Sequence, residues 1–359
     1  MAKPIYNREC EDRYPHAKDV FERDFSEGGF AAGWAMHAKP VPGYFFDCHV
    51  HYDGPRDGLI KDHVGAPLAK AESLGVRRAG LMPQLYGTKW KPANEPGNIM
   101  DKFPYFTADE LKNSLKGLAD DEKIFWGPYI NYNSPEPDLI DAAADLGASF
   151  VKLHNAPQIE DNAPPDLWLG REWRETFKVI AKRGLPVLWH VTQRLPSSVY
   201  TGGGRNSYWQ KGWENGTKYS NEDLLQVFLT CCRHFPDIAF IGAHQLHIGW
   251  DRLDGLFAGY PNLYVDSTIG CMLKLYDDFY AHDKEYLRQV FMRRADRIIF
   301  GTDTFWGSAG AEFNENVVLE HIRFITALDL NEDALDKICH GNIERLMKIH
   351  SLKAEGGPY

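Results

Sequence analysis

The sequence has few cysteines, and none of them is spaced for a shared structural task. No CxxC pair occurs, so the spacing offers neither a thiolate zinc site nor the disulfide scaffold of a small secreted protein. We therefore expect reduced thiols at Cys10, Cys48, Cys231, Cys232, Cys271 and Cys339.

Positive charge and long apolar runs are also scarce. Fifty acidic residues stand against forty basic ones, a formal net charge of −10, which argues against a nucleic-acid surface and against a face for anionic membranes. No apolar run approaches the roughly 20 residues of a membrane span, and residues 1–40 lack the basic start and apolar stretch of a secretory signal. We expect a cytoplasmic protein with no nucleic-acid or membrane partner.

The most informative feature that is present is a pair of histidines, His49 and His51, in the run YFFDCHVHYD at 44–53. In an extended strand, side chains at i and i+2 project to the same face, so both imidazoles can bind one cation. The strand is apolar and aromatic before them, which places them at its carboxyl end, where βα folds keep their chemistry. The pair predicts half of a metal site.

Three further strand-like runs each end in a side chain that can bind metal. LPVLWH at 185–190, IAFIGAH at 238–244 and RIIFGTD at 297–303 end in His190, His244 and Asp303. A borderline ion such as zinc accepts imidazole nitrogen and carboxylate oxygen together, and a catalytic site leaves one position open for water. The alternative for an isolated His-x-His is a pair on a half-exposed strand, and the three additional strand ends argue against it.

Eight β-type runs can be identified, each followed by a helical or loop segment: approximately 44–52, 77–84, 123–131, 149–154, 185–191, 238–244, 262–267 and 297–303. Amphipathic segments predict helices at 59–74, 108–119, 137–146, 172–183, 221–234, 276–293 and 315–328, and a last helix from about 331 to 349. This alternation predicts an α/β fold, a distorted (β/α)8 TIM barrel. We expect one domain over 41–350, an N-terminal extension at 1–40 and a C-terminal tail at 351–359.

Two connections are long enough to contact a substrate. Residues 84–107 follow the second strand and residues 194–219 follow the fifth, on the side where the candidate metal ligands lie. Cationic and aromatic groups there suit a carboxylated or aromatic substrate, and a solvated loop face is the alternative. The candidate substrate contacts in these connections are Lys89, Trp90, Arg194 and Arg205.

Taken together, these motifs resemble the amidohydrolase superfamily, in particular the amidohydrolase-2 branch that includes aminocarboxymuconate-semialdehyde decarboxylase. Seven segments carry the likeness in the family's order: DCHVH at 47–51, FVKLH at 150–154, LPVLWH at 185–190, IGAH at 241–244, NLYVDS at 262–267, IFGTD at 299–303 and GNIERL at 341–346. The likeness extends from about residue 44 to residue 349.

The resemblance implies a divalent metal at the carboxyl end of the barrel, with His49, His51, His190 and Asp303 as ligands or near-ligands. It also implies that His244 is the catalytic histidine, which polarises the substrate or shuttles protons. We expect one zinc ion per chain, with manganese, cobalt or iron as alternatives.

The lysine of the fourth strand, Lys152, leaves the number of ions open. In two-metal members of the superfamily this lysine becomes carboxylated and bridges the ions, whereas one-metal members can carry it without a bridge. We expect one-metal chemistry, with Lys152 and His247 as substrate contacts. Asp266 is expected to lie next to the metal ligands without binding the ion itself. The chain departs from many relatives at Asn155, where they have proline, and at Gln245, where they have glycine.

The predicted reaction is hydrolysis of a small cyclic amide, lactone or related carbonyl or carboxylated compound by metal-activated water. Asp303 can orient the water or accept its proton, and His244 can stabilise an oxyanion or protonate the leaving group. Two alternatives stay open: a metal-dependent non-oxidative decarboxylase of an aromatic or unsaturated carboxylic acid, and a barrel that binds without catalysis. The aromatic content is compatible with a homodimer or homotetramer.

Overall fold

The computed structural model describes residues 43–55, 57–85, 105–118, 121–133, 135–192, 219–248, 250–268, 276–307 and 313–352. Parallel strands form its centre. In chain order they are β1 (Phe45–Tyr52), β2 (Val76–Met82), β3 (Gln84–Leu85), β4 (Tyr105–Phe106), β5 (Ile124–Trp126), β6 (Tyr129–Asn131), β7 (Val151–His154), β8 (Val187–His190), β9 (Phe240–Gly242), β10 (Leu263–Asp266), β11 (Ile298–Ile299) and β12 (Thr304–Trp306).

The strand pairings follow the order expected of a barrel. One sheet has the order β12-β1-β2-β5 and the other the order β11-β10-β9-β8-β7-β6-β3-β4. The chain passes from β2 to β3 through Pro83 and from β5 to β6 through Gly127 and Pro128, and β11 is followed by β12, so these segments connect the two sheets. All eight predicted strands take part, and the predicted α/β fold of the (β/α)8 type is confirmed.

Helices alternate with the strands, as the amphipathic segments predict. They are α1 (Ile60–Ser73), α2 (Ala108–Ser114), α3 (Pro137–Asp145), α4 (Ala156–Glu160), α5 (Arg171–Arg183), α6 (Asn221–His234), α7 (Trp250–Gly259), α8 (Tyr276–Arg293), α9 (Glu315–Ala327), α10 (Glu332–Asp336) and α11 (Asn342–Met347). α6 begins where predicted because Ser220 and Asp223 form a capping box. α2 is shorter than predicted, and a π-helical turn at Lys337–Gly341 divides the predicted last helix.

Apolar side chains pack on both sides of the strands. The larger cluster lies between strands and helices and includes Val50, Leu81 and Trp189. A smaller cluster consists of side chains on the opposite faces of the strands, which point to the interior of the barrel. Its members include Phe46, Met82, Tyr129, Phe150, Leu188 and Ile241. Because successive strand residues point to opposite sides, this second cluster identifies the inward face of each strand.

A buried ion pair lies at the amino end of the strands. Arg78, in β2, donates to the carboxylate of Glu344, in α11, and both side chains are almost fully buried. Glu344 also accepts hydrogen bonds from Tyr44, His340 and Ser351. Burial on its own raises the pKa of Glu344, but the hydrogen bonds from these neighbours outweigh burial and leave the pKa below its usual value. The cluster ties the first two strands to the last described helix.

Several of the features predicted from the sequence lie in segments that the structure does not describe. The N-terminal extension, most of the tail and most of both long connections lie outside the described residues, so the domain boundaries stay predictions. In the part that the structure describes, no helix combines the length and apolar character needed to cross a membrane. Four of the six cysteines are seen as free, buried thiols: Cys48, Cys231, Cys232 and Cys339.

Removing one partner of the buried ion pair should destabilise the protein more than removing both. Arg78→Met leaves the Glu344 charge buried without its cation, so we expect the free energy of unfolding to fall by about 3–5 kcal/mol. The double variant with Glu344→Met should lose clearly less, since no charge stays behind. Chemical denaturation of the variants gives the comparison. Equal losses in the single and double variants would contradict this.

The same carboxylate predicts a pH dependence of stability. Because the pKa of Glu344 is lower in the folded protein than in the unfolded chain, its contribution is present above the unfolded pKa of about 4.3 and is lost as the pH falls through the folded pKa. The difference in melting temperature between wild type and Glu344→Gln should therefore be full near about pH 6 and shrink below about pH 4. Thermal unfolding across this range measures it, and a difference that grows towards acid pH would be the opposite result.

Candidate metal centre

Both histidines of β1 are buried at the carboxyl end of the strands. β1 lies between β2 and β12, where His51 pairs with Met82 on one side and with Phe305 on the other. The Phe305 ring stacks on His51 with 5.0 Å between ring centroids, and Phe305 is 38% exposed. Burial removes His49 and His51 from bulk water, while an aromatic ring next to them stays accessible.

Asp266, at the end of β10, orients the first of these histidines. Its Oδ2 lies 2.6 Å from Nδ1 of His49, so Nδ1 donates its proton to this carboxylate and Nε2 keeps a lone pair for a metal ion. The other oxygen, Oδ1, accepts hydrogen bonds from the backbone N–H of His244 at 2.7 Å and from the Thr268 hydroxyl at 2.5 Å. One buried carboxylate therefore positions two of the predicted site residues.

Asp303, which follows the last of the eight predicted strands, lies next to the imidazoles of the site. Its Oδ1 lies 3.2 Å from Nε2 of His49 and 3.2 Å from Nε2 of His51, and its Oδ2 lies 3.9 Å from Nε2 of His244. The prediction that a strand extends to Asp303 was wrong: β11 ends at Ile299, and Asp303 has a left-handed backbone with φ of 58°. His49, His51 and Asp303 offer ligand atoms that all lie within 4.8 Å of one another, and we call them the metal-binding group.

A second buried carboxylate fixes the turn that carries Asp303. Asp47 accepts hydrogen bonds from the Thr302 backbone N–H at 2.9 Å and from the Thr302 hydroxyl at 2.5 Å. Burial raises the pKa of Asp47 to about 7, although the hydrogen bonds from Thr302 and His49 oppose it. A Cβ at Gly301 would lie 3.0 Å from His49 Cβ. The turn therefore depends on a glycine as well as on the carboxylate.

The catalytic histidine predicted from the sixth strand lies in a strained turn after that strand. Residues 244–247 all have φ between 51° and 56°, a region that L-residues rarely occupy. The Gln245 amide holds the turn: its Nε2 donates to the backbone oxygens of Asp266 at 2.9 Å and Thr268 at 2.7 Å. A glycine would adopt this conformation without strain, whereas Gln245 adopts it with its side chain bonded to the neighbouring backbone.

Three more imidazoles form a cluster beside His244. The ring of His190 lies 4.6 Å from that of His244 and 4.2 Å from that of His154, measured between centroids. His247 stacks on His244 at 5.1 Å with an interplanar angle of 11°. His190 is thus next to the metal-binding group without belonging to it, and its role as a ligand stays a prediction.

Burial sets the protonation of several of these side chains. It lowers the pKa of His51 to about 4 and the pKa of His190 well below its usual value, so both rings are neutral at neutral pH and keep a lone pair. For Asp303, burial alone raises the pKa, but the interactions with His244 and His49 outweigh it and hold the pKa well below the usual range. The site therefore combines neutral imidazole with a carboxylate anion.

Lys152 enters the same site from β7. It is fully buried, and its Nζ lies 2.9 Å from Nε2 of His49. Burial lowers the pKa of Lys152 to about 8, while the charges of Asp303 and Asp266 act in the opposite direction. The sequence placed this lysine among the substrate contacts, and the structure places it directly against the metal-binding group.

The donor set fits a divalent cation. Two imidazole nitrogens and a carboxylate oxygen converge, and the nitrogen of His49 is made available by the hydrogen bond of its other ring nitrogen to Asp266. Zinc accepts this combination in catalytic sites, and manganese, iron and cobalt accept it as well. The choice of zinc stays a prediction.

The structure brings one set of the sequence-predicted residues to this end of the barrel: His49, His51, Lys152, His190, His244, His247 and Asp303. Another set lies outside the described residues: Lys89, Trp90, Arg194 and Arg205. Sequence reasoning missed Asp47, Thr302, Thr268 and Phe305 as parts of the site. The only signal for Phe305 was its position two residues after a predicted ligand, and the others act through turns that periodicity does not reveal.

Comparisons with known proteins agree with this architecture. The model of the amidohydrolase-2 family, described as amidohydrolase, matches residues 46–349. No curated protein matches the sequence. Among solved structures, dihydroorotase from Campylobacter jejuni is similar with a TM-score of 0.51 and 16% identity, over 89% of this chain and 87% of that chain. That likeness shows the fold.

Two decarboxylases give lower TM-scores. The 5-carboxyvanillate decarboxylase from Novosphingobium aromaticivorans, solved with manganese, has a TM-score of 0.48 at 12% identity over 96% of this chain and 93% of that chain. The 2,6-dihydroxybenzoate decarboxylase from Rhizobium has 0.48 at 14% identity over 86% and 99%. Since the family model covers most of the chain, the protein is a metal-dependent enzyme of the amidohydrolase superfamily and belongs to its amidohydrolase-2 family.

Proposed function

We propose that the protein is a hydrolase of a small cyclic amide, lactone or related carbonyl or carboxylated compound. The observation that carries the proposal is the position of the Asp303 carboxylate. One of its oxygens faces the imidazoles of His49 and His51, and the other faces Nε2 of His244. A single anion thus lies next to the two imidazoles of the metal-binding group and to a third imidazole, which is the arrangement that hydrolysis needs for proton transfer.

The roles of the side chains follow from this arrangement. A divalent ion at the metal-binding group would supply a Lewis acid that polarises a carbonyl and lowers the pKa of water. Asp303, an anion with a low pKa, orients the attacking water and accepts its proton. His244 then stabilises the developing oxyanion or donates a proton to the leaving group, and the contact of its backbone with Asp266 holds it in place.

We infer one-metal chemistry for this site. Nζ of Lys152 lies 2.9 Å from Nε2 of His49 and is flanked by the charges of Asp303 and Asp266. A metal ion on that nitrogen would replace this contact, because the nitrogen has one lone pair. In this position the lysine serves as a cation within the site and can neutralise negative charge on a bound substrate. His190 completes the proposed ligand set from the neighbouring imidazole cluster, and zinc is the proposed ion.

The second candidate is a non-oxidative decarboxylase of an aromatic or unsaturated carboxylic acid. The accessible Phe305 ring, stacked on His51, favours it, since a planar substrate can pack on such a ring. In this reaction Lys152 would bind the carboxylate, and His244 or Asp303 would deliver a proton to carbon as carbon dioxide leaves. Both candidates act on a small molecule, as is typical of the family.

One assay distinguishes the two reactions. Metal-loaded protein is tested against lactones by proton release, against cyclic amides by chromatography of the ring-opened amino acid, and against aromatic carboxylic acids by release of carbon dioxide. We expect ring opening without carbon dioxide, abolished by Asp303→Asn. Carbon dioxide without ring opening would replace the first candidate by the second, and neither product would reject both.

Removing a proposed metal ligand should reduce metal binding and activity together. Each of His51→Ala, Asp303→Asn and His190→Ala removes a proposed ligand, so we expect metal affinity to fall by about a hundredfold or more. Competition with a metal-binding dye measures the affinity, and His63→Ala, at a histidine bound to the Asp57 backbone away from the site, is the control. A His190→Ala variant with unchanged affinity would remove that residue from the ligand set.

Asp266→Asn should weaken metal binding although the residue is not a proposed ligand. The variant cannot accept the His49 proton in the same way, so the ring loses its orientation and basicity, and we expect a loss of about 10–100-fold in metal affinity or activity. Asp254→Asn, which removes a carboxylate paired with Arg293 and Arg294, serves as the control. Equal affinity in the two variants would show that the contact between Asp266 and His49 does not support the site.

A further inference from the structure

Two buried amide side chains lie on the inward face next to the metal-binding group. Asn131 comes two residues after Tyr129 in β6 and therefore shares its inward face. Gln84, in β3, is the register partner of Tyr129, and register partners on neighbouring strands point to the same side of the sheet. Gln84 is 2% exposed and Asn131 5% exposed. Gln84 pairs with Tyr129 across the strands, and Tyr129 pairs with Lys152. The two amides therefore lie on the strands between β1 and the strand of Lys152.

Three polar atoms of these amides have no hydrogen-bond partner within the described part of the chain. Oε1 and Nε2 of Gln84 and Oδ1 of Asn131 are buried and have no partner. By contrast, the equally buried Gln158 donates from Nε2 to Pro164 at 2.6 Å and accepts at Oε1 from Trp168 at 2.7 Å. Leaving such groups unpaired lowers stability, so their presence at the carboxyl end of the strands points to a ligand that completes them.

The atoms involved define the chemistry of that ligand. Both side chains present a carbonyl oxygen, which needs a donor, and Gln84 adds an N–H group, which needs an acceptor. A carboxylate offers acceptors only and leaves both carbonyl oxygens unpaired. A ring amide, or a hydroxyl next to a carboxyl group, presents a donor and an acceptor on one edge. Its donor can pair with one of the two carbonyl oxygens, and its acceptor can pair with the Gln84 N–H group.

We propose that Gln84 and Asn131 form a substrate subsite for an edge that carries a hydrogen-bond donor next to an acceptor. The edge is the N–H and C=O of a cyclic amide, or the hydroxyl and carbonyl of a hydroxy acid. This inference rests on the proposed function in that the reacting bond lies at the metal-binding group. The subsite selects against compounds that match the shape of the substrate and lack the donor.

The ligand-free protein provides the first test, through thermal unfolding of variants that keep shape and remove the amide. Gln84→Met and Asn131→Leu should raise the melting temperature by about 2 °C each, because an unpaired buried polar group is removed. The matched controls Gln158→Met and Asn155→Leu should lower it, since these amides are fully paired; Asn155 bonds to Val191 and Trp189. Destabilised Gln84 and Asn131 variants would overturn the proposal.

Binding of small probes provides the second test, by NMR titration of the metal-loaded protein. The pairs are δ-valerolactam with δ-valerolactone, and salicylate with 2-fluorobenzoate, which differ in the donor and hardly in shape. We expect the donor-bearing member of at least one pair to bind about tenfold more tightly to wild type. Gln84→Met and Asn131→Leu should lose most of this preference.

The two pairs of probes also show which class of compound carries the hydrogen-bonding edge. A preference confined to the lactam assigns the subsite to cyclic amides, and one confined to salicylate assigns it to hydroxy acids. No preference in either pair, no binding of any probe, or a preference that survives both substitutions would overturn the proposal. Metal content should stay at the wild-type level in both variants, so a failure here is distinct from a failure of the metal centre.

Discussion

The site depends on one buried carboxylate, Asp266. It accepts the Nδ1 proton of His49 and, through its other oxygen, the backbone N–H of His244 and the hydroxyl of Thr268. A buried charge is costly unless such partners satisfy it, so the carboxylate and its donors stabilise one another. This connection fixes a ring from the first strand and a turn after the sixth, which lie far apart in the chain, in one geometry.

Backbone strain is concentrated at the same place. Residues 244–247 and Asp303 adopt left-handed conformations that non-glycine residues avoid. Hydrogen bonds from the Gln245 amide and to the Asp47 carboxylate hold these two turns. These strained turns carry the His244 imidazole and the Asp303 carboxylate, whose Nε2 and Oδ2 lie 3.9 Å apart. Phe305 and the Gln84 and Asn131 amides then offer apolar and polar surface for the rest of the substrate.

The sequence predicts the strands, and the side chains at their carboxyl ends that can bind metal, because hydrophobic runs and the His49-x-His51 spacing are local signals. It also locates α6, whose capping residue Ser220 is adjacent to the helix. It fails at Asp303, where a turn interrupts the predicted strand, because the backbone there is held by Asp47 from the other end of the chain. The role of Asp266 depends on a partner 217 positions away in the sequence, and no periodicity reveals such a contact.

We propose that His49, His51 and Asp303 bind one divalent cation in a geometry set by Asp266. Anomalous diffraction from a zinc-loaded crystal tests it most directly. We expect a single peak between Nε2 of His49, Nε2 of His51 and the Asp303 carboxylate, with Nδ1 of His49 still bonded to Asp266. A peak elsewhere, or no peak in metal-replete protein, would contradict it.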